Sequence, residues 1–152
     1  MNISEDLINA IKEGEEKILS DHSLLPHKRP FKEIKEVYFN SNQIICFIEV
    51  EYEPAPIWIF RYDYPKNFFS SNVLKEMDEI EQLIFDHEEL FLKSISDDAY
   101  DICSVRFSDD KINIAYFDAD YATISDSLSY KEFQTISNIA KDISDLKKTI
   151  DI

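Results

Sequence analysis

One glycine, Gly14, stands in a chain of 152 residues, and that scarcity limits the folds open to it. Phosphate-cradling loops of the Walker or dinucleotide type need several glycines, for tight turns and for close approach of backbone to phosphate. A serine nucleophile elbow needs them as well. Those classes are excluded, and the chain's turns fall instead on clusters such as Asn40-Ser41-Asn42 and Ser108-Asp109-Asp110.

Between those turns the apolar periodicity is clear. Ser4 to Ser20 reads as an amphipathic helix with Ser4 as its cap and Leu7, Ile8, Ile11 and Ile18 as its stripe. Phe31–Phe39, Gln43–Glu53 and Ile57–Tyr64 read as three strands whose short connections imply an antiparallel meander. Ile44, Cys46, Ile48, Val50 and Tyr52 share one face of the second strand, and Glu49, Glu51 and Glu53 the other. Trp58, Phe60, Tyr62 and Tyr64 are expected to line the core. Asn72–Lys93 reads as one central helix with Val73, Met77, Ile80, Ile84 and Phe91 inward. Tyr100–Phe107 and Lys111–Tyr121 form a hairpin, and Ala122–Leu128 reads as a linker. A last helix starts at the capping box Ser129-Tyr130-Lys131-Glu132, with Phe133, Ile136, Ile139, Ile143, Leu146 and Ile150 as its buried stripe. The expected fold is a single α+β domain over residues 1–152, in the order αβββαββα. It has an antiparallel sheet of about five strands with helices packed on one face.

Charge narrows the partners. The formal net charge is −15, from 31 acidic and 16 basic residues. Nucleic acid and anionic membrane both need a positive footprint, so neither is an expected partner. A basic partner suits the chain better, although acidity also serves solubility. From Asp86 to Asp126, eleven acids face only Lys93, Arg106 and Lys111. The one basic island, His27, Lys28, Arg29 and Lys32, is expected to pair with the chain's own carboxylates. Met1 leads into a polar segment and no apolar run spans a bilayer, so a cytoplasmic protein is expected. Cys46 and Cys103 are expected to be buried, reduced thiols rather than a disulfide.

No catalytic signature stands out. If the fifth strand runs through Tyr121, Asp118 and Asp120 share a face with Ile112, Ile114 and Tyr116, and that face ends in two uncompensated carboxylates. Alternate carboxylates can hold a divalent metal, but no third ligand lies nearby in sequence. His22 and His27 lack zinc-finger spacing, and His87 reads as a half-buried helical residue. No cofactor, metal or enzymatic activity is therefore expected. Asp109, Asp110, Tyr116, Asp118, Asp120, Tyr121, Glu49, Glu51 and Glu53 are the candidate contacts for a basic protein: carboxylates steer and aromatics anchor.

The run Val105 to Tyr121, following a long helix, resembles the YezG-like immunity proteins, small acidic bacterial proteins. Val37-Tyr38-Phe39 to Tyr62-Asp63 is similar to their opening meander. The resemblance covers residues 31–133. It implies an antitoxin that neutralises a cognate toxin, often a nuclease, by stoichiometric binding. A non-catalytic adaptor domain that binds another cellular protein is the alternative.

Overall fold

Ser4 caps the first helix as its position predicts: its Oγ accepts the Leu7 N–H at 3.1 Å. It also donates to Glu76 Oε2 at 2.5 Å, tying this helix to the next. The fold is known from a computed structural model that describes residues 2–25, 31–51, 54 and 56–150. Among these, the elements are α1 (Glu5–Ser20), β1 (Glu33–Phe39), β2 (Gln43–Glu49), β3 (Ile57–Asp63), α2 (Ser71–Asp86), α3 (Glu88–Ile95), β4 (Ile102–Phe107), β5 (Lys111–Phe117), β6 (Thr123–Ser129) and α4 (Tyr130–Ile150). The chain is α+β, with one antiparallel sheet in the order β3-β2-β1-β4-β5-β6.

Strand alternation sends Val37, Phe39, Ile44, Cys46, Ile48, Val105, Phe107, Ile112 and Ile114 to one face. There they join α1, α2, α3 and α4 in a single buried cluster. Trp58, Phe60, Tyr62 and Tyr64 pack against it as expected. The two meanders, β1–β2–β3 and β4–β5–β6, meet at one paired position, Phe39 opposite Phe107. No helix among the described residues is long and apolar enough to cross a membrane.

Four expectations change. The sheet has six strands, because the supposed linker Ala122–Leu128 holds most of β6, paired in register with β5 along its length. Its serines hid it: only Leu128 is buried, so the run carries little apolar signal. The central helix breaks at His87, whose φ of −120° leaves the helical region and lets α3 restart with Glu88 and Glu89 at its positive end. A bulge between Ile102 and Ser104 takes Cys103 out of register, so this thiol is exposed while Cys46 is buried; both are free. In α4 the capping box forms, with Glu132 N–H to Ser129 Oγ at 3.0 Å and Ser129 N–H to Glu132 Oε1 at 3.2 Å. Its stripe, however, is buried only as far as Ala140, and Ile139, Ile143, Leu146 and Ile150 are exposed. A helix of 21 residues is roughly 32 Å long, against about 23 Å for a seven-residue strand, so it outruns the sheet.

Gly14 sits mid-helix where a side chain has no room. A Cβ there would lie 3.1 Å from Phe39 Cζ, 3.1 Å from Phe68 Cε1 and 3.3 Å from Phe69 Cζ. Phe69 packs edge to face against both Phe39 and Phe68, with its centroid 4.9 Å from that of Phe68. Gly14→Leu should therefore destabilise the fold by about 2–3 kcal/mol through overpacking, despite the better helix propensity. Chemical denaturation compared with the parent chain reads this directly. An unchanged midpoint would mean that the aromatic cluster is loose.

Candidate functional site

The acidic stretch after β5 is a turn, not a strand end. The strand stops at Phe117, and Asp118 reverses the chain. Its Oδ1 accepts the N–H groups of Asp120 and Ala122, both at 2.9 Å, while its own N–H donates to Ala122 O at 3.0 Å. Such side-chain-to-backbone bonding is why aspartate suits turns. Asp118 and Asp120 thus do not alternate along a strand. They sit in one loop with Tyr121, whose φ of +62° lies in the left-handed region and whose ring is 87% exposed.

The neighbouring chain adds residues that sequence alone did not single out. Tyr100 N–H donates to Phe117 O at 2.8 Å, and Phe117 N–H to Asp101 O at 3.0 Å. This brings Tyr100 and Asp101 alongside the end of β5, just after the exposed Asp97 and Asp98. Tyr100, Phe117 and Tyr121 are all exposed there. The result is a corner of aromatic rings among carboxylates. The available signal was the Asp-Asp pair before Tyr100, which reads in sequence only as a chain break.

Other candidates lie elsewhere. Asp109 and Asp110 occupy the opposite end of β5, roughly 20 Å away by strand rise. There Asp109 N–H donates to Glu15 Oε1 at 3.1 Å, and Ser108 Oγ to Asp110 Oδ1 at 3.0 Å. Tyr116 is 2% exposed and donates to Asp126 Oδ2 at 2.8 Å, so it is not part of an exposed surface as expected. Strand alternation turned it into the core. Glu49 is half-buried and paired with Lys35 at 3.3 Å and Lys32 at 4.0 Å. Glu51 is exposed beyond the end of β2. Glu53 and the basic residues His27, Lys28 and Arg29 lie outside the described residues. The acids therefore form no single stripe.

Among the described residues, no three His, Cys, Asp or Glu side chains converge as a metal site. On the helix-free face, Arg106 is buried between Tyr38 and Phe47, with its guanidinium 5.0 and 5.2 Å from their ring centroids. It donates to Asn113 Oδ1 and Ser125 Oγ.

Two outcomes follow from these geometries. A tyrosine held at positive φ stores backbone strain, which asparagine tolerates better. Tyr121→Asn should raise Tm by about 1–2 °C, because the exposed ring gives up no packing. A lower Tm would reveal a contact made by the ring. Separately, burial first and the Asp109 carboxylate second push the Glu15 carboxyl up from its ordinary 4.5 to about 7. The folded chain then holds this proton more tightly than the unfolded chain does. Stability is fully present below pH 4.5 and declines as pH climbs through 7. Glu15→Gln should raise Tm by about 2–4 °C at pH 8, a figure already reduced for solvent screening, and leave it unchanged at pH 4. A pH-independent difference would exclude the carboxyl as its source.

Compared with protein-family models, with curated proteins and with solved structures, the chain matches none.

Proposed function

We propose that this chain is an immunity protein: it binds a cognate cationic toxin domain, a nuclease being the fitting class, and neutralises it by stoichiometric occlusion in the cytoplasm. The observation that carries the reading is the corner at the β5–β6 turn. There Tyr100, Phe117 and Tyr121 are exposed beside Asp97, Asp98, Asp101, Asp118 and Asp120. Exposed rings beside a hydrogen-bonded turn supply anchors that desolvate on contact, and carboxylates around them speed encounter with a basic surface. A nuclease presents cations where it grips phosphate, and carboxylates can occupy those positions. The net charge of −15 acts at longer range in the same direction.

The test uses the tagged protein to capture its partner from lysate of the native organism, followed by titration of the purified partner's activity. A basic toxin domain bound one to one and silenced at equimolar ratio supports the reading. Recovery of a housekeeping assembly would replace it with an adaptor function. Asp118→Asn keeps the oxygen that closes the turn while removing charge. Combined with Asp101→Lys and Asp120→Lys, it should slow association at least about tenfold at low salt, with the gap narrowing as salt rises. Equal association rates would place the interface elsewhere.

A further inference from the structure

The phase of the β5–β6 ladder follows from Asp118 N–H donating to Ala122 O, which makes that pair a hydrogen-bonded one. Bonding alternates along an antiparallel pair, so Ile124, Asp126 and Leu128, opposite Tyr116, Ile114 and Ile112, turn their backbone groups toward β5. Thr123, Ser125 and Ser127 turn theirs outward. Nothing among the described residues bonds those outward amides, and all three residues are exposed.

An edge of this kind is normally blunted by lysine, proline, a bulge or a covering segment. Here β6 has no proline and no basic residue, and its seven residues pair with β5 without a register shift. Its one charge, Asp126, accepts the Tyr116 hydroxyl. The outward rungs carry only small hydroxyl side chains. At the other edge of the sheet, the same phase argument, set by Val50 N–H to Pro56 O, gives Ile57, Ile59, Arg61 and Asp63 as the outward rungs of β3. The first three of those side chains are bulky or cationic, and only the last, at the strand's end, is acidic.

Charge decides what fits. Asp118 and Asp120 stand at one end of β6, with Asp101 across the end of β5. A second copy of this chain would bring another fifteen negative charges, and antiparallel self-pairing would bring Asp126 toward its own counterpart. Like charges facing each other on paired strands are destabilising.

We propose that β6 receives an extended strand bearing lysine or arginine from the partner protein, which pairs with Thr123, Ser125 and Ser127 and becomes the seventh strand of the sheet. This rests on the reading of the partner as a basic protein. Main-chain bonds supply the affinity, and the acidic corner selects a strand of opposite charge.

The probe is a ten-residue blocked peptide of alternating lysine and valine, with a glutamate–valine peptide as control, read by amide hydrogen exchange in the whole chain. The lysine peptide should slow exchange at Thr123, Ser125 and Ser127 at least about tenfold, with Ile124 and Asp126 unchanged. Ser127→Pro removes one outward donor at a position where an edge tolerates proline. It should keep Tm within a few degrees and lose the protection. Absence of protection at these amides, protection on β3 instead, or an equal effect of the glutamate peptide would overturn the proposal. Capture of the native partner separates the two readings. Unchanged affinity with Ser127→Pro sinks strand pairing while leaving the immunity function intact. A strand-paired partner that is not a toxin sinks the immunity function alone.

Discussion

Two three-stranded meanders share a single backbone rung, Phe39 opposite Phe107, so hydrogen bonding contributes little to holding the halves of this sheet together. Side chains must do it, and they do so on both faces. Beneath the sheet, the fully buried Phe39 meets Phe69 edge to face with centroids 5.2 Å apart, and α1 closes over the cluster at Gly14. Above it, Arg106 reaches from β4 over Tyr38 on β1 and Phe47 on β2, while donating to Asn113 on β5 and Ser125 on β6. One guanidinium thereby links β4 to four other strands.

That staple has a cost. Arg106 is 5% exposed, makes no ion pair among the described residues, and leaves its Nε without a hydrogen-bond partner. Burial lowers its pKa, and the nearby Arg61 charge adds to the effect. Two ring faces and two neutral acceptors offset part of the desolvation, each cation–π contact by about 0.5–2 kcal/mol. A lysine could not replace it, since a point charge cannot stack on two rings and reach two acceptors together.

What could be read from the sequence divides along physical lines. Local chemistry was legible: Ser4 and Ser129 cap helices because their oxygens need only the next turn. Val73, Met77, Ile80 and Ile84 are buried because helical spacing alone puts them on one face. Features set by distant partners were not. Nothing near His87 announces a break, because no glycine or proline stands there; the restart turns Phe91 toward Phe133, with centroids 5.7 Å apart. β6 is a strand because β5 needs a neighbour, not because Thr-Ile-Ser-Asp-Ser-Leu-Ser favours one strongly. The candidate site suffered most from this. Reading Asp118 and Asp120 as strand residues gave them a shared face, whereas the turn gives them separate tasks.

Those tasks bear on how such a corner would recognise a basic protein. Asp118 Oδ1 is already engaged by two backbone amides, so part of its charge is compensated within the turn. Asp120 and Asp101 are exposed, and among the described residues no side-chain bond engages them in the same way. Electrostatic attraction at this corner should therefore follow Asp120 and Asp101 more than Asp118, whose part is to hold Tyr121 outward at a strained φ. A turn that served only to reverse the chain would relax with asparagine or glycine at that position. Strain retained on a residue whose ring touches solvent accords with the proposed binding role, in which the ring meets the partner.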